Sequence, residues 1–570
     1  MFNARSLFLT ILFAVYFYLP LLAQEVNLEV TVDLSANTTP LPRLFQPNID
    51  LGGRGFHKDS SWPQNMAAKE ALELWGKDIG FCGLYRIQYN FWEISQLAKS
   101  KEAQEKLLSN YEAVIKNISD SEGTVILNVF GTPAGLGKAL DNKSTPLNLE
   151  AFKVLVKDTM KYLSCEKKYN IWYEVWSGPD SDDFFIGSQQ DYLNMYRIFA
   201  ESAKELGAQF KIKIPVGAPS LSGWFHNLEG NNILTPEKSL IYDLIKFASA
   251  HSLPLDFITW HAFSSDPKTE KEPTIYGKNT IELIRDWLSY FNFKRETPLI
   301  VDEWNFDRDV NLLPARRRGS FIAASYIPSR IKHMYEAGLD NQVYFSLEDF
   351  QNNPEHITRN VGAFYFDSEQ SHYKGGPKTI YNVFKMLRRL GPDMFSVKLN
   401  DDFAGIIATK SPDEICIMVY NYIDPDIVKS YLAHNIFGLN NAERQSLLQV
   451  IRINQLGRFM AHEMEVPSLR AMPKVKAVLN RARELADKAK ELENTPRLLK
   501  FTLKGIKSGY SYSRFVVDSS CGLGCEFKAV EEKDIPASDI YQEDLKLAPY
   551  SVSFIILKKK TDETKDAPKG

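Results

Sequence analysis

Residues 171–207, IWYEVWSGPDSDDFFIGSQQDYLNMYRIFAESAKELG, hold one complete unit of the fold. The opening run is β-rich and ends in turn residues. The stretch after it, QDYLNMYRIFAESAKELG, places apolar side chains at i, i+3 and i+4, the signature of an amphipathic helix. The same alternation recurs along the first two thirds of the chain. β-rich runs are expected at 47–52, 84–90, 124–131, 171–179, 211–219, 257–263, 298–306 and 342–349. Helical patterns such as AAKEALELWGKDIG, LNLEAFKVLVKDTMKYL, SLIYDLIKFASAH and TIELIRDWLSYF separate them, and NVFKMLRRLG closes the last repeat with Gly391 as its stop. Eight strand–helix repeats predict an α/β protein built on a (β/α)8 TIM barrel over residues 44–391. A doubly wound open sheet would need a glycine-rich phosphate loop, and none supports it.

The rest of the chain reads differently. Residues 405–420 and 499–557 are strand-like, with turns at Ser411-Pro412 and Lys507-Ser508-Gly509. They predict a β-sandwich over 392–439 and 495–558, which the alternating VNLEVTVDL within 25–43 is placed to join. A helical insertion over 440–494 interrupts it. Its second half carries a narrow apolar stripe of Val475, Val478, Ala482, Leu485, Ala489 and Leu492 on a charged helix, read as one arm of a hairpin packed on itself or on the barrel. A partner-binding helix is the alternative. Residues 559–570 form a charged tail.

Composition narrows the function classes. At 570 residues and 44% hydrophobic the chain buries large cores, and 68 basic against 71 acidic residues give a net charge of −3. No global field draws nucleic acid or an anionic membrane. Arg5, the apolar run 7–22 and Ala23-Gln24 have the order of a secretory signal over 1–24, which predicts a secreted or periplasmic protein without a membrane span once cleaved. An uncleaved anchor is the alternative, since the run nearly reaches spanning length. Five Cys are too few for a disulfide scaffold, and only Cys521 and Cys525 lie close enough for a local bridge. The nine His are scattered, no ligand spacing marks a metal, and no cofactor is expected.

Barrel chemistry sits at the C-terminal ends of the strands. Those ends supply Arg86 and Gln88, Asn128, Ser177 with Gly178, His261, Glu303 with Trp304, and Glu348 with Asp349. Glu303 in LIVDEWNF ends a buried apolar run, where a carboxylate needs a site or a charged partner. A salt-bridged rim residue is the plainer reading of such a Glu.

The motifs YEVWSGPD, VGAPS, LPLDFITWHAF and LIVDEWNF, in this order, resemble glycoside hydrolase family 39, the β-xylosidase and α-L-iduronidase group of retaining glycosidases. The resemblance spans most of the barrel and extends to LKLAPYSVSFIIL near the end. It implies that Glu303 is the nucleophile. It also implies a general acid/base Glu in a W-N-E-P motif, but here the motif reads Trp176-Ser177-Gly178-Pro179, so Gly178 stands at the acid's position. The family's R-x-H becomes Arg86-Ile87-Gln88, and its H-A-Y becomes His261-Ala262-Phe263.

Retaining hydrolysis needs two carboxyls about 5–5.5 Å apart, and glycine supplies none. Asp180, Asp182, Asp183 and Glu348 are the candidate substitutes, although an acidic loop reads equally as a solvated turn or helix cap. Glu174 is set aside as lying four residues upstream, about 13 Å deeper by strand rise. Arg86, Gln88, Asn128, Trp176, Ser177, Trp260, His261 and Trp304 are the candidate carbohydrate-binding residues, with the three indoles as stacking faces. Three readings stay open: an exported glycosidase of oligo- or polysaccharides with an atypical or relocated acid/base, a pseudo-glycosidase that binds carbohydrate, and an interaction protein working through the helical insertion.

Overall fold

The computed structural model describes residues 27–53, 61–97, 100–306, 320–351, 358–359, 361–366 and 375–560. The expected leader lies outside the described residues. Within them, no helix is long and apolar enough to cross a membrane.

Eight parallel strands close a barrel: β1 (Ile49–Asp50), β2 (Leu84–Asn90), β3 (Thr124–Phe130), β4 (Ile171–Val175), β5 (Val216–Leu221), β6 (Phe257–His261), β7 (Leu299–Trp304) and β8 (Asn341–Tyr344). Tyr344 opposite Ile49 makes the closure. β2 keeps its expected span and the other strands are shorter or shifted, β8 ending at Tyr344 rather than at 349; two of these departures have a local cause. The helix Gln189–Phe210 runs on until Lys211 caps it in the left-handed region, so β5 starts at Val216 rather than at 211. β4 stops at Val175 because Trp176 turns the chain with φ +64°.

The barrel interior changes character with height. Leu84, Ile126, Phe257, Ile300 and Val343 pack together as an apolar plug at its lower end. Two residues further along a strand the side chain points inward again. On four of these strands the positions are Arg86, Asn128, Thr259 and Asp302, Glu174 takes the same step above the partly buried Trp172, and the step from Val343 reaches Phe345 past the end of β8. A polar layer therefore rests on an apolar floor. The helices fix this layer from outside. Gln189–Phe210 starts in a capping box between Ser188 and Asp191, buries Tyr192, Met195, Tyr196 and Phe199 on one face, and its Tyr192 hydroxyl donates to the carbonyl of Val175 at 2.8 Å, pinning the end of β4.

A seven-stranded antiparallel sheet follows, in the order Thr38–Pro40, Asp393–Phe395, Ala404–Lys410, Glu414–Asn421, Ser551–Lys559, Tyr510–Val517 and Ala529–Ile535. Alternation explains why its central strands are apolar throughout. Ile406, Ile417 and Ile555 face a three-stranded sheet of Asn27–Asp33, Arg497–Ile506 and Ser538–Leu547, whereas Ile407, Met418 and Phe554 join the barrel core. Cys521 and Cys525 are disulfide-bonded.

The inserted segment is four helices rather than a hairpin, and it begins earlier than expected: Ile427–Ile436, Asn441–Arg452, Gln455–Met460 and Pro473–Leu492. Leu439, Leu447, Val450, Phe459, Val475 and Leu479 form a separate core. Leu479, not Val478, is the fully buried member of the stripe, and Leu485, Ala489 and Leu492 continue it into the main core.

Candidate active site

Arg86 is the hub of the polar layer. Wholly buried, it spends all five N–H groups on protein partners. Nε donates to Glu174 Oε2 at 2.7 Å, Nη1 to Asp50 Oδ2 at 2.9 Å and Glu303 Oε1 at 2.5 Å, and Nη2 to the hydroxyls of Ser177 at 3.1 Å and Ser220 at 3.2 Å. Burial works against its charge, but Glu174, Glu303, Asp302 and Asp50 outweigh that penalty and hold the guanidinium well above its usual range. Register makes the assembly possible: Asp50 lies opposite Arg86, Asn128 opposite Glu174, and His261 opposite Glu303. An irregularity in β7 between Val301 and Trp304 lets consecutive residues Asp302 and Glu303 both reach the cluster.

Four carboxylates around one guanidinium cannot all be charged at no cost. Burial pushes the Asp302 carboxyl well above its ordinary value, and the neighbouring charge of Glu174 adds to the effect. Burial likewise raises Asp50 to about 7, with Arg86 opposing and Glu303 reinforcing. Among the described residues Glu174 Oε1 and Asp302 Oδ1 receive no other hydrogen bond, yet the two carboxyls are in hydrogen-bond contact with each other. A proton held on Asp302 and donated to Glu174 supplies the missing bond. Asp302 Oδ2 also accepts from Ser220 Oγ at 2.5 Å, and Ser220 Oγ lies 2.9 Å from His261 Nε2. Because the serine hydrogen is committed to Asp302, Nε2 is the histidine donor.

The expected residues divide into those brought together here and those placed elsewhere. Glu303, Arg86, Ser177 and His261 converge, with His261 Nε2 3.7 Å from Glu303 Oε1. Asn128 joins them from below, donating to Glu174 Oε2 at 2.8 Å and to the Trp176 carbonyl. Gln88 is half-buried one inward step above Arg86, and its side chain makes no hydrogen bond among the described residues. Glu174 corrects the strand-rise argument: the chain turns at Trp176, and Glu174 reaches the same guanidinium as Glu303.

The indoles do not offer the expected stacking faces. Trp176 is buried against Phe130 and Phe185, with its N–H donated to the Phe184 carbonyl at 3.0 Å. Trp304 is wholly buried and donates to Gln342 Oε1 at 2.6 Å. Trp260 is also buried, though it borders a cavity of about 170 Å³ beside His261 that Trp224, Phe225, Phe263 and Phe437 help to wall.

Gly178 sits at φ +59°, and a Cβ added there would lie 3.2 Å from the Phe184 ring. Its N–H donates to the Ser220 carbonyl at 2.8 Å, fixing the turn to the end of β5. Of the substitutes, Asp180 is buried, and although burial favours its protonation, bonds from His226 and the Ser222 N–H hold its carboxyl below the ordinary range. Asp182 and Asp183 are exposed on the turn. Glu348 is wholly buried and accepts from the Ala68 N–H at 3.1 Å, under the β1 loop. Asp349 pairs with Lys378 at 2.5 Å. Among the described residues, no group of three or more His, Cys, Asp or Glu is placed to hold a metal ion.

A family model for glycosyl hydrolases family 39 matches residues 143–449, more than half of the chain. The chain belongs to glycosyl hydrolases family 39. A β-xylosidase from Caldicellulosiruptor saccharolyticus is 20% identical over 424 residues, covering 69% of this chain and 80% of the relative. Among solved structures, a glucosidase from Croceicoccus marinus superposes with TM-score 0.62 at 14% identity, over 94% of this chain and all of the other. A monomeric β-xylosidase from Caulobacter crescentus CB15 gives TM-score 0.61 at 15% identity, over 94% of this chain and 100% of the other. These likenesses establish the shared fold. Family membership and the β-xylosidase relative support glycosidase activity on a carbohydrate substrate.

Reasoning from sequence missed three members of this family 39 site: Asp50, Asp302 and Ser220. Each closes an apolar run, in NID, LIVD and VGAPS, and a polar residue ending a buried strand was the available signal.

Proposed function

We propose that this family 39 protein is an exported glycosidase that cleaves O-glycosidic bonds of oligo- or polysaccharides, with Glu303 as nucleophile and without the usual carboxyl opposite it. The observation that carries this reading is Glu303 itself. It stands at the C-terminal end of β7, a tenth of its side chain is exposed, and Arg86 fixes its Oε1 at 2.5 Å. A carboxylate held this way is oriented for attack on an anomeric carbon. The position that resembles the family's acid/base is Gly178, which can neither protonate a leaving group nor activate water. General acid–base assistance is worth roughly a hundred- to ten-thousand-fold. Ordinary alkyl glycosides therefore turn over slowly unless another group supplies the proton.

β-D-Xylosides are the first substrates to test, because the curated relative is a β-xylosidase. Dinitrophenyl and fluoride donors need little protonation on departure. They should form a glycosyl–Glu303 ester that intact-mass analysis detects, azide should release it as the retained glycosyl azide, and Glu303→Gln should abolish it. If sugars that bind measurably neither label the protein nor turn over as activated donors, the cleft is a receptor and the enzyme reading fails.

A further inference from the structure

The place where a carboxyl is missing has an ionisable pair beside it. Two residues after Gly178, Asp180 Oδ2 lies 2.7 Å from His226 Nδ1, and Asp180 Oδ1 accepts from the Ser222 N–H at 3.0 Å. The Asp180 side chain is 1% exposed, whereas that of His226 is 28% exposed. The pair therefore has a buried end and a wet end. His226 is also held in place: its N–H donates to the Gly223 carbonyl, it pairs with Asn231 across a short hairpin, and its ring meets Phe225 edge-on at 4.7 Å.

We propose that His226, oriented by Asp180, is the general acid/base of this enzyme in place of the absent residue at 178. The inference rests on the proposed role of Glu303. Asp180 accepts from Nδ1 and so fixes which ring nitrogen faces outward. Nε2 makes no hydrogen bond among the described residues and is the nitrogen left to exchange a proton. A carboxylate that orients an imidazole from behind is a recurrent way to build a proton-transfer group. Position supports the assignment. The Gly178 N–H is bonded to the Ser220 carbonyl and the Ser222 N–H to Asp180, so the β4 and β5 ends run side by side, and the Ser220 hydroxyl accepts from the same Arg86 that holds Glu303. The dyad thus occupies the β4 side of the rim, where the family's acid is expected.

In the first step Glu303 bonds to the anomeric carbon as the C–O bond breaks. The bonding pair leaves with the glycosidic oxygen, which takes the proton from protonated His226 Nε2. In the second step neutral Nε2 removes a proton from water as the water oxygen attacks the same carbon and displaces Glu303. Asp180 is a positioning residue, since it touches only the imidazole and backbone.

The test is the dependence of kcat/KM, which reports the step that forms the glycosyl–Glu303 bond, on the leaving group, measured over β-D-xylosides from dinitrophenyl through phenyl to methyl. Removing a general acid slows poor leaving groups by about a hundred-fold or more and leaves activated ones nearly unchanged. His226→Gln should therefore steepen the dependence, while labelling of Glu303 by a glycosyl fluoride persists, which also shows that the variant is folded. Asp180→Asn should give a smaller steepening. The dyad is overturned if His226→Gln slows all donors equally or none. It is also overturned if the unmodified protein is labelled by the fluoride yet hydrolyses no phenyl glycoside. If no donor labels Glu303 even in His226→Gln, where loss of the base leaves the intermediate standing, the reading beneath the dyad falls, and the dyad with it.

Discussion

Asp50 offers the most direct test of the crowded carboxylate layer. Its carboxyl lies wholly inside the barrel, accepting from Arg86 Nη1 at 2.9 Å and from the Gly52 N–H at 2.6 Å, and burial lifts it from an ordinary 3.8 to about 7. The native state then keeps a proton that the unfolded chain has already released across this window. Because the unfolded state binds fewer protons, stability falls as pH rises from about 4 to about 7 and is flat on either side. At 1.36 kcal/mol per pH unit, the lift is worth roughly 4 kcal/mol, all present at pH 4 and gone above pH 7. Asp50→Asn cannot titrate. Urea unfolding followed by tryptophan fluorescence should show the wild-type protein losing about 1.4 kcal/mol per pH unit relative to the variant through mid-window. The amide forfeits one of the two accepted hydrogen bonds, an offset of about 1.5–3 kcal/mol that is the same at every pH and leaves the slope untouched. Glu303→Gln removes one of the charges that raises Asp50, so it should lower the upper edge of the window and leave the lower edge in place. A stability difference between wild type and Asp50→Asn that stays constant from pH 4 to pH 8 would refute the account.

In the His226→Gln background, Gly178→Glu should restore hydrolysis of phenyl glycosides, yet at φ +59° it should also lower stability by roughly 1–2 kcal/mol, read as a fall in melting temperature. Pairing it with Phe184→Ala should ease the ring contact without removing the backbone strain. Trp304→Phe leaves the buried Gln342 oxygen without its donor and should destabilise by about 1–3 kcal/mol in urea while leaving sugar affinity by calorimetry unchanged, since this indole faces no ligand. Arg86→Met strands its carboxylates and should cost about 3–5 kcal/mol near neutral pH, with a smaller loss at low pH where the acids protonate.

The barrel was legible because each strand–helix unit repeats the same physical contrast between a short apolar run and a helical period. Strand ends were less so. Lys211–Pro215 looks extended and follows a helix that stops one residue earlier, and only the left-handed cap at Lys211 shows where β5 is delayed. Glu303 could be picked out because a carboxylate after Leu299–Val301 needs a reason to be there. Asp302 stands one place earlier and was hidden because taking Glu303 as inward sends its neighbour outward; alternation from Ile300 points Asp302 inward, and the irregularity in β7 brings Glu303 in beside it. The indoles misled for the opposite reason. Trp is large, apolar and able to stack on sugars, and sequence does not say that the N–H of Trp304 is consumed by Gln342, or that of Trp176 by Phe184.

His226 was unreadable for a more general cause. Its role depends on a partner 46 residues away, through an approach of the β4 and β5 loops that no local pattern encodes. On that proposal Gly178 marks where chemistry is missing, whereas the replacement is defined only by what folds next to it. An aspartate on that loop looks like the natural substitute, since it is acidic and adjacent. The geometry turns this around. The contacts that bury Asp180 and hold its proton affinity down make it a poor acid, and the same contacts make it a firm anchor for an imidazole. A lost carboxyl is then replaced by two groups that divide its work, Asp180 for direction and His226 for the proton. In that arrangement the two groups fail differently. Without His226 the proton donor is gone, whereas without Asp180 it remains but is poorly aimed, so the order of the two slopes, and not the loss of activity alone, is the result that separates a dyad from a buried salt bridge.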